Sequence, residues 1–410
     1  MTDQLHNFEI RSLAHNDAGR RDAFAKFRQS MLGIGDIGRA SAGAEAAYLQ
    51  SGFPIGGFVD GELQGVVNGY ESSIALPGGN WVSHLAVTHV GVSPTHARRG
   101  IARRLLTEQL RQARARGFAV AGLRASDARI YGRYGYGIAS WSVRQEVDLA
   151  NGGRPKPGHG GEVRQVDALE SFDLFKTIAN SCPTPRAATL LRWDAWWEIQ
   201  KFRTEQGSTP HHAVVIGSEG AERGYLRFHV HPSENWFTSA QRTVIVDDLV
   251  AHDDNAWRGL MGHLLSQDIL HKVILPSRPV DDPLQLLVDN PRVVQISDFR
   301  DESWIRPLDL EKFLNSRSFG RNTHVVLRVT DPILPENTGT WSLSGNGAVR
   351  SQETPMLDLS LQTLTELAFG AQSATSLAAA GRIEAARQVI DALDEAFAVT
   401  GRKPHAGISF

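Results

Sequence analysis

The stretch from Val90 to Arg103 limits the fold of this 410-residue chain more tightly than any other part. It reads Val90-Gly91-Val92-Ser93-Pro94-Thr95-His96-Ala97-Arg98-Arg99-Gly100-Ile101-Ala102-Arg103. A β-run from Trp81 ends at the proline, a short basic turn follows, and an amphipathic helix starts at Gly100. Ile101, Leu105, Leu106, Leu110 and Ala113 recur near the helical period through Arg116, and Gly117 suits a C-cap. Phe118 to Leu123 is then a short apolar run of buried-strand type. Strand, helix and strand at this spacing predict a βαβ unit with parallel strands. The first N–H groups of the helix lack intrahelical acceptors, and the helix dipole adds partial positive charge there. With Arg98 and Arg99 beside it, and Gly100 and Ala102 keeping the approach clear, the turn is suited to a diphosphate.

Composition narrows the classes. A chain of this length has room for about two to three domains. Its 41% hydrophobic and 21% charged content is ordinary for a globular protein. A net charge of −2 offers no electrostatic trap for nucleic acid or an anionic membrane, so neither is an expected partner. The arginines between Arg98 and Arg116 divide into two members of the turn and a solvated helix face. The single cysteine, Cys182, excludes an intrachain disulfide and fits a reducing compartment; no local base marks it as a nucleophile. Met1 to Asn7 has no basic and apolar leader pattern, and no apolar run is long enough to span a bilayer. A cytoplasmic enzyme is the expectation.

Three segments follow along the chain. In the first, 1–150, a helix is expected from Asp22 to Met31 and a hairpin around Asp60-Gly61. The Gly/Pro-rich run 151–162 marks a boundary. The second segment, 151–302, repeats the plan: strands Gly224–Val230 and Arg242–Val250, a helix from Trp257 to Leu270, and a strand from Lys272 to Leu275. At its strand-to-helix junction stand His252-Asp253-Asp254-Asn255, carboxylates that cap a helix and repel a phosphate. The third segment, 303–410, has an α+β pattern. Asp309 caps a helix through Ser316, strands run His324–Val329 and Thr340–Leu343, and helices are expected over Leu361–Leu377 and Arg382–Val399. His229 and His231 alternate on one strand face, but a catalytic zinc needs about three protein ligands and no third presents itself, so no metal is expected.

Strand, Val-x-Val-x-Pro and Arg-Arg-Gly-x-Ala in this order resemble the acetyl-CoA pyrophosphate loop of the GNAT N-acetyltransferases. A second site, Ile130-Tyr131-Gly132-Arg133-Tyr134-Gly135-Tyr136-Gly137, follows the short segment Arg124-Ala125-Ser126-Asp127. Tyrosine keeps its proton at neutral pH, with an ordinary pKa of about 10, and can deliver it to a nascent thiolate. Tyr134 and Tyr136 read as packing residues. This tyrosine signature, the three-segment plan and the final Ala406-Gly407-Ile408-Ser409-Phe410 resemble the Eis (enhanced intracellular survival) family over essentially the whole chain.

The resemblance implies an α/β and α+β fold: tandem GNAT-like domains, the second degenerate, followed by a sterol-carrier-protein-like C-terminal domain. It implies acetyl transfer from acetyl-CoA to a small-molecule primary amine, of aminoglycoside, polyamine or lysine type, in a homohexamer. Acetyl-CoA falls to Val90, Gly91, Val92, Arg98, Arg99, Gly100, Ile101, Ala102, Arg103, Ser126 and Asp127. Tyr131 becomes the general acid, and the Phe410 carboxylate the general base through a water. Ala97, His89 and Ser409 depart from the family pattern, and the last two speak against multi-site aminoglycoside acetylation. The rival reading is a non-catalytic CoA- and lipid-binding protein.

Overall fold

The computed structural model describes residues 7–14, 17–30, 51–155, 162–232, 235–236, 238–239, 241–320, 323–399 and 401–408. The chain forms two compact units, one of residues 1–140, 186–196 and 301–410, the other of residues 141–185 and 197–300.

The first unit begins with β1 (Phe8–Ser12), α1 (Asp17–Ser30), β2 (Ile55–Val59), β3 (Glu62–Ala75) and β4 (Trp81–Val92). These strands pair antiparallel in that order. Asp60 and Gly61 take φ of 50° and 84° between β2 and β3, the left-handed pair that a tight hairpin needs. Next come α2 (Ile101–Ala115), β5 (Val120–Leu123) and the single turn α3 (Ala128–Tyr131). β5 lies parallel to β4, as a βαβ connection requires. Ile101, Leu105, Leu106, Leu110 and Ala113 are all buried, so the expected face of α2 is the one that packs. Helix α1 starts earlier than the expected Asp22, and Met31 lies outside the described residues.

β6 (Gly137–Asp148) leads into the second unit, where its residues 142–148 pair with β11 (Lys272–Pro279). β7 (Val163–Val166), β8 (His211–Ile216), β9 (Gly224–Val230) and β10 (Thr243–Ala251) pair antiparallel in sequence, and β10 lies parallel to β11. Helices α4 (Phe172–Asn180), α5 (Asp194–Glu205), α6 (Asp254–Leu265) and the turn α7 (Leu284–Leu287) complete this part of the chain. The helix expected over Trp257–Leu270 begins and ends earlier. The Asp253 carboxylate accepts from Ala256 N–H and fixes the start.

β12 (Val294–Pro307) returns to the first unit, where residues 304–307 pair antiparallel with β5. Asp309 caps α8 (Leu310–Asn315) as expected. A second sheet places β15 (Gly347–Arg350), β14 (Gly339–Ser344), β13 (His324–Thr330) and β16 (Leu357–Ser360) in that order. The long helix expected over Leu361–Leu377 is two helices, α9 (Leu361–Phe369) and α10 (Ala374–Ala379). Gly370 turns left-handed at φ 72°, and Ser373 caps the second piece. That expected over Arg382–Val399 shrinks to α11 (Arg387–Ala396), because Ile383 is buried ahead of it in non-helical chain.

Candidate active site

β4 carries the decisive irregularity. Gly65 pairs with Val92 and Val66 with Gly91, but Asn68 pairs with Thr88, so one extra residue of β4 sits opposite Val67. His89 takes φ 52° there, a left-handed conformation that a bulge imposes on a non-glycine residue. On the other side, pairing with β5 runs only from His84↔Val120 to Ala86↔Gly122. Beyond Ala86 the β4 edge has no β5 partner among the described residues. The backbone of Val90 and Val92 stands on this splayed edge, and both side chains are half-buried.

The basic turn follows directly. Arg98 takes φ 63° and Gly100 φ 82°, so the chain reverses in left-handed conformations before α2 begins. No side chain caps the helix among the described residues, which leaves its first N–H groups free for an anion. Arg98, Arg99 and Arg103 are exposed around it. A Cβ built on Gly100 meets nothing within 4 Å, so the helix start is open to an incoming group. An uncapped, open helix start with guanidinium groups around it offers the space and charge that an anionic diphosphate requires.

Tyr131 is 6% exposed and packs edge-on against Tyr136, ring centroids 6.0 Å apart. It shares one apolar cluster with Ile101, Leu105, Val90 and Val92, so the tyrosine and the splayed strand meet in one core. Burial raises its pKa, the neighbouring Tyr134 adds to this, and a hydrogen bond with Ser126 offsets part of it. Asp127 accepts from Arg129 N–H at 2.9 Å and from its guanidinium, and so caps α3. Those bonds hold its carboxyl at about 2. Buried Arg306 pins the same turn by donating to the Tyr134 carbonyl at 2.7 Å and to Asp331.

The chain end converges on this region through residues that sequence reasoning missed. Glu302, 1% exposed, accepts from Ala406 N–H at 2.9 Å and from the Ser140 hydroxyl at 2.8 Å, with His405 Nε2 3.2 Å away. Arg124, just past β5, donates to the Ile408 carbonyl at 3.1 Å, and Ala406 and Ile408 are buried. Phe410 itself lies outside the described residues. Beside the bulge, Arg20, Phe24, Pro54, Val66, Asn68 and His89 border a small cleft. Burial drives His89, packed against Phe27 at 4.6 Å, down to a pKa of about 3.

Family models match three stretches: an acetyltransferase (GNAT) domain at residues 21–139, another at 188–307, and a sterol carrier protein domain at 310–407. An uncharacterized N-acetyltransferase of Streptomyces coelicolor is 31% identical over 341 residues, 80% of this chain and 82% of the relative. The N-acetyltransferase Eis of Mycobacterium bovis is 27% identical over 354 residues, 82% and 83% of the two chains. The crystal structure of Eis1 from Mycobacterium abscessus superposes with a TM-score of 0.89 at 36% identity, over 98% of this chain and all 100% of that one. The chain belongs to the Eis-like GNAT N-acetyltransferases. It is an acyltransferase with two GNAT domains and a C-terminal sterol-carrier-like domain, and GNAT domains imply acetyl-CoA as cosubstrate. A GCN5-related N-acetyltransferase from Anabaena variabilis shares the fold, with a TM-score of 0.81 at 18% identity.

Within this Eis-like chain, the second GNAT domain differs at the matching junction. Asp253 fills the start of α6 with its own carboxylate, where α2 is uncapped. His229 also has company that its neighbours in sequence did not reveal. It groups with His211 and Asp247, and not with His231.

Proposed function

We propose that the chain acetylates a small primary amine by direct transfer from acetyl-CoA in a ternary complex, at the first GNAT domain. The observation that carries this is the uncapped, arginine-flanked start of α2 beside the splayed β4 edge. Val90, Gly91 and Val92 offer backbone to the acetyl and pantetheine portion; Arg98, Arg99, Gly100, Ile101, Ala102 and Arg103 take the diphosphate. Ser126 and Asp127 complete the cosubstrate side, with Ser126 also steadying Tyr131. In the reaction the amine nitrogen attacks the thioester carbonyl and the C–S bond breaks. Tyr131 gives its proton to the leaving thiolate, and the proton of the amine passes through a water to the Phe410 carboxylate. The tail held by Glu302 and Arg124 supports bringing that carboxylate to the site.

The functional domains are 1–150, 151–302 and 303–410, with the second a degenerate copy. The cleft beside the bulge, where Arg20 stands, His89 is neutral and no carboxylate is present among the described lining residues, supports an amine of low charge over a polycationic aminoglycoside. A cytoplasmic homohexamer is the assembly that fits the family. Among the described residues no helix is long and apolar enough to cross a membrane. Initial rates over a panel of aryl, alkyl, polyamine, lysine and aminoglycoside acceptors, read as free thiol, test the proposal. Amide formation is expected, slowest with the polycationic aminoglycosides. Thiol release without amide, or no turnover with any amine, contradicts it.

A further inference from the structure

Three metal-type ligands meet on the second unit, far in sequence from the acetyl-CoA turn. β8 and β9 pair with His211 directly opposite His229, imidazole centroids 5.1 Å apart. On β10, Ile245 pairs with His229 and Val246 with Phe228, but Asp248 then pairs with Arg227, so Asp247 is an extra residue. Consecutive residues of a regular strand face opposite sides. Here both carboxylates serve the face of the odd-numbered β9 residues, since Asp248 takes the Tyr225 hydroxyl at 2.6 Å while Asp247 reaches the histidines. Bulges re-aim side chains in this way.

Asp247 Oδ2 lies 3.1 Å from His211 Nδ1, and Oδ1 lies 2.6 Å from His229 Nδ1. One ligand atom from each of the three residues lies within 4.8 Å of the others. A Cβ on Gly207 would stand 2.6 Å from His211 Nε2, so a glycine there seats the ring and leaves Nδ1 turned to the cluster. The side chains of His211, His229 and Asp247 are 15%, 23% and 22% exposed. The cluster is therefore held by its neighbours yet open to solvent on one side. Two imidazoles and a carboxylate brought this close suit a borderline divalent ion that takes the place of their mutual hydrogen bonds, with water completing its shell.

From this geometry we infer that His211, His229 and Asp247 form a binding site for a divalent transition metal of zinc type, joining β8, β9 and β10. The site is independent of the acetyl-transfer reading and needs no turnover to be seen. The alternative is a metal-free clamp, in which both histidines donate Nδ1–H to the aspartate and neither turns a lone pair toward the cluster.

Zinc chloride titrated into metal-stripped, tag-free, full-length protein by calorimetry separates the two. One equivalent is expected, with affinity reduced ~10-fold or more in His229→Ala and in Asp247→Asn, since even groups that only support a metal ligand are worth about that much. Zinc is expected to raise Tm of the wild type more than that of Asp247→Asn at the same concentration. Cobalt(II) in place of zinc reads the same site by its visible absorption, which the variants should lose. Circular dichroism of the metal-free variants confirms that they fold. No zinc binding by the wild type, or wild-type affinity in both folded variants, overturns the inference.

Discussion

Burial raises the pKa of the Tyr131 phenol, and Tyr134 beside it adds to the shift, so the side chain keeps its proton through neutral and mildly alkaline pH. That is the state a leaving-group acid needs. Tyr131→Phe is expected to lower kcat by ~10²-fold or more with acetyl-CoA affinity preserved, because general acid catalysis contributes roughly 10²–10⁴. Steady-state kinetics beside a binding isotherm check the split, and a loss confined to affinity would assign Tyr131 to packing. Glu302 is shifted in the same direction, against more opposition. Burial raises its carboxyl pKa, while Ala406 N–H, the Arg124 charge, the Ser140 hydroxyl and Gly407 N–H oppose the shift. The folded state thus binds more protons than the unfolded one just above the ordinary carboxyl range. Its contribution to stability falls as pH rises through the raised value. Glu302→Gln, which cannot ionise, is expected to show a smaller drop in Tm from pH 5 to pH 7 than the wild type. An equal drop would show that Glu302 carries no such linkage. Tyr131 was legible because its signature is local, with Ser126 and Tyr136 only five residues away on either side. Glu302 was not. Its partner amide lies 104 residues along the chain, and only the fold joins them.

At the scale of elements, one helix start distinguishes the two GNAT domains. α2 opens through Gly100 in a left-handed turn with clear space before it, whereas the Asp253 carboxylate occupies the start of α6. Gly100→Val places a β-branched side chain where φ is +82°. We expect acetyl-CoA affinity to fall by at least as much as from loss of one charge-assisted contact, ~10-fold, with a modest loss of Tm. Unchanged affinity by calorimetry would place the diphosphate elsewhere. The apolar period of α2 and the paired left-handed residues of the Asp60-Gly61 hairpin are local signals, and both were readable. The break at Gly370 was hidden, because apolar residues continue at helical spacing on either side of it. What ends α9 is the glycine's left-handed cap together with Asp394, which accepts from the N–H groups of Ala374 and Thr375. The His211–His229–Asp247 group was equally hidden, since strand register and a bulge assemble it from residues up to 36 positions apart.

For the molecule as a whole, the first compact unit gathers segments from both ends of the chain. The tail is tied through Ile408 by Arg124, by Glu302, and by the N–H of His405 donating to the Ala187 carbonyl at 2.9 Å. If the Phe410 carboxylate is the base, one residue added after it moves the charge by up to ~3.5 Å, beyond hydrogen-bond reach of its proton. A chain extended by a single glycine is expected to lose most of its kcat at unchanged Tm. Full activity in that variant would move the base elsewhere. Calorimetric titration with CoA shows whether one acetyl-CoA is handled per chain, and by the arginine turn of the first GNAT domain. One equivalent per chain is expected, and Arg98→Ala with Arg99→Ala should weaken binding ~10-fold or more, given about 1.5–3 kcal/mol for each charge-assisted contact. Two equivalents per chain, or unchanged affinity in the double variant, would contradict that assignment.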